Sequence, residues 1–244
     1  MRNTEGSFWE HLEELRRRLL VILAVVVATT CAGFAWSRQL MRLVLLTGPA
    51  VLQTLAPSEA IVAHLKLSLL AGLIASSPVV FFHFWRFVSP GLYPGEKRTV
   101  LAMAVFSTIL FAAGVAFSWM VMLDPALRLF HSFETGNIEG HWSLAAFTGF
   151  LGRFVLVFGL AFQMPLMVLG LTRLGVVTPA GLRHIRSHVI VGLLVVAALL
   201  TPPDPVTQVL LALPLYLLFE LSLLLASLSS AGRRRGRHGE GAPV

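Results

Sequence analysis

Six apolar runs, each near the length of a membrane span, constrain this chain more than any other feature. They cover residues 19–36, 67–85, 99–123, 154–172, 185–200 and 206–228. A helix needs about 20 mostly apolar residues to cross the ~30 Å hydrocarbon core of a bilayer. No soluble domain fits between the runs, and no internal repeat is visible. Charged residues make up 13% of the 244-residue chain and hydrophobic ones 56%. A soluble domain usually carries about 25% charged residues, so a water-soluble globular fold is excluded. The expectation is an all-α membrane protein with six transmembrane helices, forming a single polytopic domain over residues 1–230. The tail, 231–244, is rich in Gly and Arg without an apolar period. It is expected to be disordered and to lie against anionic lipid.

The first run lacks a small-x-small cleavage site after Cys31-Ala32-Gly33, so it reads as a retained span. Cys31 is the only cysteine, which excludes an intrachain disulfide and a cysteine metal cluster. It reads as a small hydrophobe packed in an apolar run.

The formal net charge of +7 would suggest nucleic acid in a soluble protein. In a membrane protein it is a topology signal, and no nucleic-acid partner is expected. With the N-terminus inside, fourteen Lys and Arg fall on inner segments and five (Arg38, Arg42, Lys66, Arg128, Arg153) on outer ones. This places both termini in the cytoplasm, with long outer loops at roughly 37–64 and 124–145.

The last two runs are short. Only residues 189–200 and 206–219 are strictly apolar. These cover about 18 and 21 Å against a ~30 Å core. Thr201-Pro202-Pro203-Asp204-Pro205 joins them, and three prolines in five residues cannot continue a helix. The result is a tight helical hairpin accommodated by local thinning of the bilayer.

Nothing in the sequence supports an enzyme. Neither lysine, Lys66 or Lys97, sits in a nucleotide-cradling loop, and H-E-x-x-H and a serine nucleophile elbow are both missing. His184 and His188 lie four apart on an expected helix, but without a third ligand they read as a surface pair. No cofactor or metal is expected.

Four polar constellations need an explanation. In the first, Ser7 and Glu10 form a capping box, and Phe8, Leu12, Leu15 and Leu19 make one stripe at helical spacing. This predicts an amphipathic helix on the inner membrane surface that turns into the first span. Its acids either pair along the helix, Glu14 with Arg18 and Glu13 with Arg17, or offer an acidic docking point. The second is the loop Phe87-Val88-Ser89-Pro90-Gly91-Leu92-Tyr93-Pro94-Gly95-Glu96-Lys97-Arg98, with rigid Pro-Gly turns. Its one acid, Glu96, either pairs with Lys97 or Arg98 or joins Glu14 on one membrane face. Two carboxylates suit two guanidinium groups, because each pair can be bidentate.

The third constellation is Gln163, a mid-span amide that must bond within the chain, with the Ala161 carbonyl freed by Pro165 as one candidate, or to a partner subunit. The fourth comprises Thr201, Asp204 and Gln208 at the outer hairpin, with Glu220 toward the inner end of the last run. Asp204 either caps that helix or contacts a partner. Glu220 is either intramembrane or interfacial.

At these residues the sequence resembles the TatC family, the multispanning subunit of the twin-arginine protein translocase. The likeness spans nearly the whole chain. It rests on His11-Leu12-Glu13-Glu14-Leu15-Arg16-Arg17-Arg18-Leu19, and on Phe84-Trp85-Arg86-Phe87-Val88-Ser89-Pro90-Gly91-Leu92-Tyr93 with Glu96-Lys97-Arg98. It continues through Phe158-Gly159, Phe162 and Pro165 to Leu200-Thr201-Pro202-Pro203-Asp204, Gln208, Pro214-Leu215-Tyr216 and Phe219-Glu220. The resemblance implies a concave, glove-like fold with N-in/C-in topology in a bacterial or archaeal cytoplasmic membrane. It implies binding of twin-arginine signal peptides at Glu14 and Glu96, with Arg16, Phe87 and Pro90 in the surrounding motif. TatA- and TatB-type single-span subunits would be the partners, within a homo-oligomeric complex powered by the proton motive force. The fourth span and the short hairpin, with Gln163, Thr201, Asp204 and Gln208, would help to dock them. Family members often carry Glu where this chain has Gln163, which keeps hydrogen bonding but cannot exchange a proton. Two other classes compete with a translocase receptor. A small-solute transporter would show repeats and matching broken helices, whereas only one proline-broken hairpin occurs. A structural scaffold would tolerate loss of both acids.

Overall fold

The computed structural model describes residues 4–48, 52–92, 97–132, 142–173, 175–200 and 205–239. It is mostly helical. The helices are α1 (Thr4–Ala35), α2 (Ser37–Thr47), α3 (Glu59–Leu92), α4 (Lys97–Phe117), α5 (Leu123–His131) and α6 (Leu144–Ala161), followed by α7 (Met164–Arg173), α8 (Pro179–His184), α9 (Arg186–Leu200) and α10 (Pro205–Gly239). A π-helical turn, Ser118–Met122, links α4 to α5. Two short strands, β1 (Leu52–Gln53) and β2 (Trp142–Ser143), pair in parallel.

Five segments are long and apolar enough to cross a membrane: Leu12–Ala35, Glu59–Val88, Arg98–His131, Leu144–Thr172 and Gln208–Leu228. The apolar helix Arg186–Leu199 is shorter. Four of the runs read from hydropathy were therefore drawn too narrowly. The fourth run starts at Leu144 rather than 154, because Arg153 interrupts the apolar pattern without interrupting α6. The third continues to His131 through the π-helical turn. The expected surface helix ahead of the first span is instead part of one continuous helix from Thr4. The capping box at Ser7 lies inside it, and Leu12, Leu15 and Leu19 are exposed. The loop expected at 37–64 holds α2, β1 and the start of α3, and the loop at 124–145 holds α5 and β2. α10 runs to Gly239, so its backbone enters the segment beyond Ala231.

The chain divides into two compact units, Met1–Ala112 with Gly136–Gly152, and Ala113–Thr135 with Arg153–Val244. In the first unit, α1 packs along α3. Little separates hydrocarbon-facing helices from lipid energetically, so close backbone approach must drive the pairing. Small residues permit it here. A Cβ on Gly72 would lie 2.7 Å from the Thr30 backbone nitrogen and 2.8 Å from its Cα. On Gly33 it would lie 3.1 Å from the Ser68 carbonyl oxygen. The Thr29 hydroxyl donates across the same seam to the Gly72 carbonyl at 2.9 Å. α3 and α4 are joined by Trp85, whose Nε1 donates to Ser107 Oγ at 2.6 Å, and by an edge-on contact of Phe81 with Phe111.

A single carboxylate organises the other end of this unit. Glu59, buried in the first turn of α3, accepts from the backbone amides of Leu55, Ala56 and Ala145 and from the Ser143 hydroxyl. The Ala145 bond is 2.7 Å. An acid at a helix N-terminus also meets the positive end of the dipole. Glu59 thereby ties the start of α3 to β2 and the start of α6, next to the Leu52–Trp142 strand pairing.

In the second unit, Gly114 of α4 sits against α6, where a Cβ would come within 2.6 Å of the Phe158 carbonyl. Phe117, Phe154, Phe158 and Phe162 stack around this crossing. Pro165 ends α6 at Ala161 because its ring occupies the position of an amide donor. The chain turns as the backbone N–H of Gln163 donates to the Leu160 carbonyl, and it resumes as α7. Gly175, at φ 73°, reverses the chain after α7, and Thr178 caps α8 by accepting from Gly181. α10 packs on α7, α8 and α9 through Leu182, Phe219 and Leu223.

Gly72 gives a direct test of the small-residue seam. Gly72→Ala is expected to destabilise the protein by about 1–3 kcal/mol through overpacking. Gly152→Ala, where a Cβ would meet nothing within 4 Å, should be near neutral. Thermal unfolding in detergent reads both, and equal midpoints for the two variants would refute the close crossing.

Candidate functional site

The acidic motif on α1 faces α3. Glu13, Glu14, Arg17, Arg18 and Val21 of α1 and His83 and Arg86 of α3 line a recess of about 420 Å³ within the first unit. Helical spacing puts residues 14, 17, 18 and 21 on one stripe, which is why one α1 face supplies most of the lining.

Arg18 is the buried element of the recess. Its side chain is 10% exposed, against 46% for Glu14. The guanidinium contacts Glu14 Oε1 through both Nε, at 3.1 Å, and Nη2. Nη1 reaches the His83 carbonyl at 3.3 Å. Of the two readings open for Glu14, pairing along the helix is therefore present in the structure. The carboxylate nevertheless remains accessible at the recess surface. Formal charge in the lining is three bases against two acids, so the recess alone is not an acidic trap.

Arg16 is exposed on α1, and Phe87 is half-buried on α3. Neither is among the described residues that line the recess. Pro90 lies within the backbone of α3, but its side chain is outside the described residues, as is the whole of Glu96. Thr201 and Asp204 also fall outside them.

The second unit holds the remaining polar positions. Gln163 is buried, at 9% exposure. Gln208 Nε2 donates to the Leu194 carbonyl at 2.8 Å, binding the start of α10 to α9. Glu220 accepts from Arg186 Nη2 and from the Tyr216 hydroxyl, each at 2.7 Å. A base at the start of α9 thus neutralises the acid in the last apolar run. His184 and His188 fall on successive helices, α8 and α9, separated at Ile185, rather than on the single helix expected.

Hydropathy gives no account of His83 or Arg86. The available signal is His83 itself within the run 67–85, since a polar residue in a span marks a place where the helix meets something polar. Arg186 and Glu220 carried a similar signal: one base and one acid at the same end of adjacent short runs. A double-mutant cycle on Glu14→Gln and Arg18→Gln, read by thermal unfolding, is expected to give a coupling below about 1 kcal/mol, because Glu14 is half exposed. A coupling of several kcal/mol would mark the pair as a closed structural lock.

Similarity to known proteins agrees with this architecture. The family model described as Sec-independent protein translocase protein (TatC) matches residues 10–214. The chain is 33% identical over 218 residues to the Sec-independent protein translocase protein TatC of Helicobacter pylori strain J99, covering 89% of this chain and 88% of that protein. It is 33% identical to TatCy of Bacillus subtilis strain 168, covering 93% and 91%. The chloroplastic TATC protein of Arabidopsis thaliana is 39% identical over 86% of this chain and 63% of its own length. A crystal structure of the twin-arginine translocase receptor TatC in DDM matches with a TM-score of 0.81 at 34% identity, covering 88% of this chain and 99% of that one. The chain belongs to the TatC family, as a multi-pass membrane component of the Sec-independent protein translocase and not an enzyme.

Proposed function

We propose that this chain is the receptor and assembly core of a twin-arginine translocation system, binding signal peptides with paired arginines and recruiting TatA- and TatB-type subunits. The observation that carries the reading is Glu14, accessible in a membrane-protein recess, within a chain similar over 88% of its length to a twin-arginine translocase receptor. Glu14 and Glu96 each take one guanidinium of the signal, and Arg16, Phe87 and Pro90 shape the surrounding surface. At Glu14 the incoming guanidinium competes with Arg18, which retains the His83 carbonyl as an acceptor. Half-exposed ion pairs contribute little net energy, so this exchange costs little. The recess is not net acidic, so Glu96 supplies the charge balance that Glu14 alone lacks.

The same reading includes six spans with both termini in the cytoplasm, in a single polytopic domain of concave, glove-like shape. The fourteen-to-five bias of basic residues supports that topology. A short α9 forms the fifth span. Gln163, Thr201, Asp204 and Gln208 contribute to partner docking, several copies act together, and the basic tail meets anionic lipid. A folded cargo domain is itself about 30 Å across, a width that six helices cannot enclose. The chain therefore recognises cargo and recruits the subunits that complete the passage. The membrane gradient supplies the energy, at ~2.3 kcal/mol per charge per 100 mV.

Signal-peptide crosslinking in membranes tests the reading. Glu14→Lys and Glu96→Lys should each abolish it. Glu14→Gln should lower affinity by no more than roughly 5-fold, the ~1 kcal/mol of a half-exposed ion pair. Intact crosslinking in both charge-reversal variants would overturn the site assignment. Failure of the unaltered chain to restore export of a folded twin-arginine reporter in a deletion strain would overturn the function.

A further inference from the structure

The short helix α2 holds two arginines and no acid. Arg38 and Arg42 stand about one helical turn apart, both exposed, and like charges at that spacing repel. Among the described residues neither guanidinium has a hydrogen bond or an ion pair. No acid lies between Glu14 and Glu59 in the sequence, and Glu59 is buried with four donors of its own. The stripe Ser37, Met41 and Val44 is buried, and α2 packs on α3. The rest of the exposed face is largely apolar: Leu45 and Leu46 lie one turn from Arg42, Leu46 is 83% accessible, and Trp36 before the helix is 60% accessible.

The placement of α2 brings this face to a membrane surface. The segments on either side of it, Leu12–Ala35 and Glu59–Val88, are each long and apolar enough to cross a membrane. Extended straight from α1, the 11 residues of α2 would run about 16 Å onward. Instead the helix breaks at Trp36, α2 lies on α3, and a Cβ on Gly48 at its far end would come within 2.8 Å of the Phe147 ring in α6. α2 therefore crosses one end of the first unit, next to the α1 surface that the protein leaves almost wholly uncovered.

We propose that α2 is an interfacial helix whose Arg38 and Arg42 jointly hold the phosphodiester of an anionic phospholipid, in the leaflet that meets the Glu59 end of α3. Guanidinium forks match phosphate oxygens, and one phosphate between two guanidiniums removes their repulsion. A zwitterionic lipid would bring a further cation to the pair. Leu45 and Leu46 meet the acyl chains, and Trp36 sits at the headgroup boundary, where indole rings are favoured. This apolar surround, continuous with the exposed side of α1, favours a lipid over an acidic protein segment or a free anion. The site needs Leu12–Ala35 and Glu59–Val88 to be spans, but neither the direction of the chain nor the signal-binding reading.

The single cysteine, Cys31, makes local labelling direct. In full-length Cys31→Ser protein, a fluorophore attached at Leu46→Cys reports quenching by doxyl-labelled phosphatidylglycerol or phosphatidylethanolamine in vesicles that mix the two. Quenching should favour phosphatidylglycerol. Arg38→Gln and Arg42→Gln should each cut that preference roughly 5-fold, and the double variant should abolish it. The double Lys variant, which keeps both charges, should retain most of it. Quenching without a preference, or a preference unchanged in the double Gln variant, overturns the proposal. Loss of the preference to inorganic phosphate, but not to sodium chloride of equal ionic strength, would assign the site to a free anion and overturn the lipid source. The same fluorophore at Leu23→Cys separates the two possible failures. Quenching at Leu23 without quenching at Leu46 overturns the interfacial helix alone, whereas no quenching at Leu23 overturns the first span and the site with it. Circular dichroism confirms that each variant is folded, and the Lys variant carries the charge test should the Gln variant unfold.

Discussion

In hydrocarbon, burying an apolar side chain against another helix gains little over leaving it against lipid, so backbone proximity and polar pairing must hold the helices. Both units follow that constraint. Gly72 meets the Thr30 backbone in one, and Gly114 meets the Phe158 carbonyl in the other. At each crossing the missing side chain lets dispersion contacts and a cross-helix carbonyl or hydroxyl act at short range, as Thr29 does with Gly72. The broad exposed faces of α1, with Leu19, Leu20 and Leu23 all more than half accessible, are the counterpart of this economy. They need no protein partner because lipid serves them as well.

Polar groups are governed by the other half of the same constraint. A charge away from bulk water must find a partner inside the protein or at a headgroup. Glu59 gathers four donors from three segments, Glu220 takes Arg186 and Tyr216, and Arg18 takes Glu14 and the His83 carbonyl. These arrangements differ in accessibility. Glu59 is sealed and structural, whereas Glu14 stays half open. A receptor needs the second kind: an ion pair held well enough to keep the carboxylate in place and weakly enough to be exchanged.

Gln163 changes one element of the expected chemistry. An amide at that buried position keeps donor and acceptor capacity without a titrating proton. The side chain at position 163 therefore offers no site for proton exchange. Among the described residues, the acids in the second unit's helices are Asp124, paired with Arg128, and Glu220, paired with Arg186.

The sequence determined a helical membrane protein and the short α9. Both follow from hydropathy period and proline chemistry, which are properties of neighbours in the chain. It drew the fourth run ten residues short, because a window of hydropathy cannot tell an arginine that ends a helix from one that a helix carries through. It left Glu14 poised between two roles, since i,i+4 spacing allows a pair without saying how deeply the base is buried. Only the tertiary structure decided that Arg18 is anchored on the His83 carbonyl, that Glu59 ties segments 84 and 86 residues apart, and that Arg153 reaches the end of α9. Those contacts join residues distant in the chain, and their energies depend on burial and geometry that no local pattern encodes.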